Sequence, residues 1–158
     1  MVYFKILRSN LTHHGLKYQK GINVDTVPFN PVGSCVPGGI YFTDADHIHQ
    51  FLNLGSLIAT VEIPEGTETV KDGLNKWRTH SINIIDITSD LSKLDIPYEK
   101  NKNKWFLWAC QNGHTENAKW LMSLLTIKDI RSDNNSALQY ACGNGHTETV
   151  EWLKSIGC

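Results

Sequence analysis

The sequence predicts an α+β protein in which a small β-rich domain precedes two copies of a helical repeat. Two observations lead to this prediction. Several segments among the first 87 residues alternate apolar and polar side chains or are rich in β-branched and aromatic residues. The last third of the chain contains one pattern twice, at a spacing of 32 residues. We therefore expect an α+β domain at 1–87, a polar connector at 88–104 and the repeats at 105–158.

Composition and charge exclude several classes of protein. The chain has 158 residues, of which 41% are hydrophobic and 20% charged, so it is globular rather than disordered. Its 15 Lys and Arg balance 16 Asp and Glu, which gives no electrostatic case for a nucleic-acid or membrane partner. No apolar run is long enough to span a bilayer, and the N-terminus does not resemble a secretory signal. We expect an intracellular protein whose four cysteines are reduced.

The β-rich domain is predicted from alternation and from residue type. In the clearest segment, Leu57–Ile63, every second residue is apolar on one face of the strand. A helix capped by Thr43 or Asp44 is expected to run to Leu54, and a further helical turn is expected within Val70–Trp77. The predicted strands are Val2–Leu7, Gly15–Gln19, Gly39–Thr43, Leu57–Ile63 and Ile82–Ile87.

The repeat is defined by an alignment of residues 105–126 with residues 137–158. Ten of the 22 positions are identical, and five of these form the block Asn-Gly-His-Thr-Glu. In the second copy Leu138, Ala141 and Cys142 follow the spacing of one buried helix face, and the glycines after them end that helix. Each copy is therefore predicted to be a helix, a tight turn and a second helix.

The pattern Ser-Ala-Leu-x-x-Ala-Cys-x-x-Gly-His-x-Glu-x-Val-x-x-Leu, which begins at Ser136, resembles the ankyrin repeat. The sequence of this motif is most similar to those of the ankyrin arrays of giant DNA viruses, and the resemblance covers residues 103–158. It implies a fragment of an ankyrin solenoid without enzymatic activity or cofactor, and we expect it to bind a host protein in the host cytoplasm. The positions that the resemblance places on the concave binding surface are Trp108, Gln111, Asn112, Tyr140 and Asn144.

Two Cys-x-x-x-His pairs have the residue types of a zinc site. Cys110 precedes His114, and Cys142 precedes His146. The same four positions follow the repeat period, and the resemblance to ankyrin implies a small buried residue at each cysteine and a turn residue at each histidine. We therefore favour a structural role for them and predict no metal.

Two repeats are fewer than the roughly three that such a stack usually needs. The second copy also ends without a polar capping helix. We expect the α+β domain to cover one end of the repeats. Covering the other end would take further repeats, self-association or a bound partner.

A second resemblance supplies the alternative function. The segment Gly38–Thr43 is similar to the Gly-Ile-Tyr-Phe segment of ADP-ribosyltransferases, and His14 precedes a glycine as in their His-Gly motif. By this resemblance His14 would contact the ribose of NAD, Tyr41 would stack on nicotinamide, and Glu62 would stabilise the transition state. In the competing interpretation the glycines form a turn, Tyr41 is an ordinary residue of the sheet and Glu62 is solvated. The nearby Lys-Trp-Arg segment, which ends at Arg78, is expected at the surface.

Overall fold

The computed structural model describes residues 1–158, and the chain divides into two units, Met1–Ser89 and Asp90–Cys158. All strands lie in the first unit and all α-helices in the second. This combination agrees with the predicted α+β class. None of the helices has the length and apolar character needed to cross a membrane.

Four antiparallel strands form the main sheet of the first unit. Its strands, in spatial order, are β1 (Tyr3–Leu7), β6 (Leu57–Glu62), β9 (Ser81–Thr88) and β4 (Gly21–Val24). The strand predictions for Val2–Leu7, Leu57–Ile63 and Ile82–Ile87 are therefore confirmed. In the β1–β6 pair, Lys5 of the edge strand lies opposite Ala59, and this basic residue is buried.

Hydrophobic residues cover both faces of this sheet where β1 and β6 pair. One face carries a buried cluster that includes Leu7, Ala59 and Val61. Alternation along the strands directs Phe4, Ile6 and Ile58 to the opposite face, and all three are also buried. The single apolar face predicted for β6 is therefore incomplete, because Ile58 is fully buried as well.

Two smaller sheets complete the first unit. One contains β5 (Ile40–Phe42), β8 (Trp77–Thr79) and β7 (Thr69–Lys71) in that order, and the other is the hairpin of β2 (Thr12–His13) and β3 (Leu16–Lys17). The helical turn predicted within Val70–Trp77 is wrong, because this segment forms the β7–β8 hairpin. The Asp72 N–H donates to the Lys76 carbonyl at 2.9 Å, and Gly73 adopts a φ of 79° in the turn.

The helix predicted to end at Leu54 is present as a 3-10 helix, Ile48–Leu54. It ends at Gly55, where a Cβ atom would lie 2.1 Å from the carbonyl oxygen of Leu7. The glycine is required here because the backbone of β1 approaches so closely.

The second unit contains five α-helices: the first two and the last two form pairs that match the two copies of the predicted repeat, and a short third helix lies between the pairs. The helices are α1 (Lys102–Gln111), α2 (Thr115–Leu121), α3 (Ile127–Ile130), α4 (Ser132–Gly143) and α5 (Thr147–Ser155). Within α4, residues Asp133, Asn134 and Asn135 have φ values of 51°, 58° and 57°. These left-handed residues mean that the regular turns of α4 begin at Ser136.

The residues before α1 contribute to the core of the second unit. Leu91 and Tyr98, each in a short 3-10 segment, are 0% and 6% exposed. The Tyr98 hydroxyl donates to the Leu91 carbonyl at 2.7 Å, and its ring lies edge-on to that of Trp105 with centroids 5.0 Å apart. Tyr98 therefore joins this segment to the first helix of the repeat region.

Three contacts join the two helical pairs. The hydroxyl oxygens of Thr115 and Thr149 are hydrogen-bonded at 2.8 Å, and the rings of Phe106 and Trp152 meet edge to face. The imidazole of His146 lies against Gly113, where a Cβ atom would stand 2.5 Å from its Nδ1. The histidine of the second copy therefore packs on the turn of the first.

The turn glycines provide a test of this packing. Gly113 and Gly145 have φ values of 71° and 73°, so alanine at either position costs about 1–2 kcal/mol in the left-handed conformation. Only Gly113 also contacts the His146 ring, since nothing lies within 4 Å of a Cβ at Gly145. We expect Gly113→Ala to lower the free energy of unfolding by at least about 1 kcal/mol more than Gly145→Ala in urea titrations followed by circular dichroism.

A His146→Ala background serves as the control. Removing the ring leaves the backbone strain at both glycines but removes the clash at Gly113. The two alanine variants should then lose equal stability, and a persistent difference would contradict the proposed packing.

Candidate functional site

Three of the five residues predicted to bind a partner lie exposed and adjoining across the two repeats. Tyr140 is 49% exposed on α4, and Gln111 and Asn144 are exposed at the ends of α1 and α4. The Asn144 Nδ2 donates to the Gln111 carbonyl at 2.9 Å, and the Asn144 N–H donates to the Tyr140 carbonyl. The first bond joins the end of α4 to the end of α1, and the second lies within α4, on which Tyr140 is exposed.

The other two predicted residues have structural roles. Trp108 is 2% exposed, and its ring contacts those of Trp105 and His114. The prediction that Trp108 is an exposed anchor is therefore contradicted by its burial. Asn112 is half-buried, and its Nδ2 donates to the Trp108 carbonyl at 2.8 Å, which caps the C-terminal end of α1.

Equivalent positions of the two copies differ in exposure. Trp108 and Cys110 are buried in the first copy, whereas Tyr140 and Cys142 are exposed in the second. The burial expected for Cys142 is thus wrong. Burial raises the pKa of the Cys110 thiol to about 12, so Cys110 is a neutral core residue at physiological pH. No group of three or more His, Cys, Asp and Glu side chains is arranged to hold a metal ion.

The first unit contains a cavity of about 520 Å³, which bears on the ADP-ribosyltransferase hypothesis. His14 and Tyr41 both line it, so two of the three residues of that hypothesis share one site. Glu62 is not among the lining residues; it lies exposed at the end of β6, opposite Asn83. Lys76, from the Lys-Trp-Arg segment expected at the surface, also lines the cavity, and so does Lys5, which was not predicted because a lysine in a strand carries no recognisable signal.

A buried ion pair supports one wall of the cavity. Arg78 Nε lies 3.1 Å from Asp72 Oδ2, and both side chains are fully buried. The guanidinium also donates to the carbonyls of Asn30, Gly33 and Gly38, which belong to the loop before β5. The surface position expected for Arg78 is therefore wrong.

The Asp72 carboxylate accepts further hydrogen bonds from this wall. Its donors are the Ser34 hydroxyl at 2.6 Å, the Cys35 N–H at 3.1 Å and the Tyr41 hydroxyl at 3.0 Å. Burial by itself raises the pKa of Asp72, but these hydrogen bonds and the Lys76 charge outweigh it, so the pKa lies below its usual value. Asp72 therefore stays ionised and fixes the orientation of Tyr41.

Lys5 extends from β1 to the same cavity and is 7% exposed. Its Nζ donates to the Tyr41 carbonyl at 2.8 Å and lies 5.2 Å from the centre of the Tyr18 ring. Burial lowers the pKa of Lys5 to about 8, although the charge of Asp25 partly opposes the shift. Lys5 is thus a largely desolvated cation in the wall of the cavity at neutral pH.

The neighbouring histidine is neutral. Burial lowers the pKa of His13 to about 4, and the nearby His14, Lys5 and Arg8 lower it further. At physiological pH, the uncharged His13 ring and the Lys5 ammonium therefore present different chemistry to the cavity.

Comparison with known proteins identifies the repeat region. The family model described as ankyrin repeats (3 copies) matches residues 80–158, which are half of the chain. The matched range includes β9, which is a strand of the main sheet. No solved structure matches the chain.

Three curated relatives come from Acanthamoeba polyphaga mimivirus. The putative ankyrin repeat protein R868 is 31% identical over 133 residues, covering 77% of this chain and 66% of the relative. The putative ankyrin repeat protein R229 is 34% identical over 118 residues, which cover 65% of this chain and 38% of R229. The uncharacterized protein R869 is 27% identical over 128 residues, which cover 73% of this chain and 93% of R869. The chain therefore spans less than two thirds of R868 and R229, and its similarity to R868 extends beyond the repeats into the first unit.

The buried ion pair gives a prediction for stability. Asp72→Asn leaves the Arg78 guanidinium buried without a counter-charge, so we expect a loss of about 3 kcal/mol or more in the free energy of unfolding. Asp86→Asn is the matched control, because Asp86 pairs with Lys20 at the surface and should cost less than about 1 kcal/mol. Chemical denaturation of both variants at pH 7 measures the difference, and equal losses would contradict the role assigned to Asp72.

The lowered pKa of Lys5 predicts a pH dependence. Between about pH 8 and pH 10.5 the unfolded chain binds the Lys5 proton and the folded chain does not, so folding becomes more favourable as the pH rises. From pH 7 to pH 9.5 we expect the stability of the wild type to increase by about 2 kcal/mol relative to Lys5→Met. Urea titrations of both proteins across this range test it, because all other titrating groups are shared. Parallel profiles would show that the Lys5 pKa is not lowered.

Proposed function

The chain belongs to the ankyrin-repeat family of giant viruses, and from this membership we propose that its second unit binds another protein through Tyr140, Gln111 and Asn144. Ankyrin repeats are protein-interaction modules, and this role needs neither catalysis nor a cofactor. The observation that carries the proposal is the exposed Tyr140 ring on α4, the helix whose C-terminal Asn144 hydrogen-bonds to the exposed Gln111 of the first copy.

The chemistry of this surface suits an interface core. A tyrosine supplies a large apolar contact with few rotatable bonds and a hydroxyl that can hydrogen-bond, and such residues dominate the binding energy of interfaces. The amides of Gln111 and Asn144 donate and accept hydrogen bonds without bringing net charge. The near-neutral chain, with a net charge of −1, adds no long-range selection for a charged partner. We therefore expect recognition by shape and aromatic contact.

The partner we propose is a protein of the infected cell, which the chain would bind in the host cytoplasm. This choice rests on the relatives, which are mimivirus proteins. A second copy of the chain is the competing partner, because Tyr140 and Cys142 are exposed where their counterparts in the first copy are buried. Sedimentation at high concentration separates the two, since self-association through Tyr140 would be lost in Tyr140→Ala.

A NAD-dependent ADP-ribosyltransferase is the second candidate function. The observation that favours it is the cavity shared by His14 and Tyr41. The position of Glu62 outside the lining argues against it, because the oxocarbenium-like charge would form at the cavity and not at the end of β6. Release of nicotinamide from NAD by the wild type, abolished in Tyr41→Ala, is the result that would establish it.

The interaction is tested by quantitative affinity capture from amoebal lysate. Tyr140→Ala removes the exposed ring, and we expect at least about a tenfold loss in affinity for any partner that uses this surface. Ile127→Ala is the matched control, because Ile127 is a large hydrophobic residue with about the same exposure, 50%, but it lies on α3 rather than α4.

The expected pattern is selective. A true partner is retained by Ile127→Ala, is lost by Tyr140→Ala and binds the purified wild-type chain in a direct titration. Partners that bind both variants as well as the wild type would show that Tyr140 does not anchor the interface.

A further inference from the structure

Two adjoining cavities in the first unit share part of their walls. The larger has a volume of about 520 Å³ and the smaller about 170 Å³. Lys5, His13, Tyr41 and Lys76 line both. The larger volume lies within the range of about 300–1,000 Å³ that small-molecule sites occupy.

The Lys5 ammonium is incompletely satisfied by the protein. It is 93% buried, and of its three N–H groups one donates to a protein acceptor, the Tyr41 carbonyl. Buried donors are normally paired, because an unpaired one loses its hydration without compensation. The other partner of the ammonium is the Tyr18 ring, whose centre lies 5.2 Å from Nζ and which accepts no conventional hydrogen bond, so a bound acceptor can still pair with the ammonium.

Lys76 brings a second cation to the shared wall. Its Nζ lies 4.5 Å from the centre of the Tyr41 ring and 3.2 Å from the Cys35 Sγ. The nearest carboxylate, that of Asp72, is 3.8 Å away and already pairs with Arg78 at shorter distance. The negative charge of Asp72 is thus shared, and the positive charge of Lys76 is not cancelled.

One acidic residue, Asp25, lines the larger cavity, and none lines the smaller. The Asp25 carboxylate accepts hydrogen bonds from the backbone N–H groups of Gly39 at 2.6 Å and Val27 at 3.2 Å. It therefore has backbone partners of its own, and the two lysines outnumber it. The shared wall is complementary to negative charge.

Most of the remaining lining of the smaller cavity is apolar. The smaller cavity adds aromatic and aliphatic side chains to the shared wall, namely Phe4, Ile6, Phe42, Ile48, Phe51 and Leu54. A ligand that fits both regions carries an anionic group and an apolar group.

We propose that these joined cavities bind a small organic anion, with its charged group between Lys5 and Lys76 and its apolar group against the aromatic side chains of the smaller cavity. The Asp72–Arg78 pair supports the site by holding Tyr41 and the loop before β5 in place. This site is separate from the repeat surface and would operate whether or not the repeats bind a protein.

The test compares two fluorescent probes that differ in charge. 8-Anilinonaphthalene-1-sulfonate is an apolar anion, and N-phenyl-1-naphthylamine is its neutral analogue. We expect the full-length wild type to bind the sulfonate at one site per chain. Lys5→Met should weaken that binding at least about tenfold, because a charge-assisted hydrogen bond is lost, while affinity for the neutral amine changes less than about twofold.

Controls separate this effect from a general loss of structure. Lys71→Met removes a lysine that lies over the Trp77 ring and does not line either cavity, so it should leave both affinities unchanged. If Lys5→Met does not fold by near-ultraviolet circular dichroism, Lys76→Met takes its place, because that side chain is 26% exposed. Equal binding of the sulfonate to the wild type and to the folded variant, or a parallel loss of both probes, would overturn the proposal.

Discussion

The first unit depends on one buried ion pair, Asp72 with Arg78. Two charged groups without solvent are costly unless their remaining donors and acceptors are occupied, and here they are. The guanidinium reaches three carbonyls of the loop before β5, and the carboxylate accepts from Ser34, Cys35 and Tyr41. A long loop without regular structure thereby becomes a defined wall, against which Tyr41 and the cavity take their positions.

Several elements could be predicted from the sequence because their signals are local. The 32-residue period identified both helical pairs, and alternation identified β1, β6 and β9. The Val70–Trp77 segment was misassigned because its strands are short and the partners that hold Asp72 in its turn, namely Ser34, Cys35 and Tyr41, are distant in sequence. Arg78 was placed at the surface for the same reason, since a cation is buried only where distant loop carbonyls converge on it.

The residues of the candidate sites also divide into those that could be predicted from the sequence and those that could not. Trp108 and Tyr140 occupy the same register and have similar side chains, yet one is 2% exposed and the other 49%. Register specifies which way a side chain points, and the neighbouring elements determine whether anything covers it. The pairing of Lys5 with Lys76 could not be predicted, because the two line a common cavity only after β1 and the β7–β8 turn have folded.

The unequal exposure of the two copies has an evolutionary consequence. Duplication gives two units the same sequence but different surroundings, so selection acts on matching residues with different strictness. Cys110 is enclosed and admits few replacements, whereas Cys142 is open and can drift toward polar residues without a packing penalty. The identical cysteines are therefore under different packing constraints, and substitution at Cys142 is the less costly of the two.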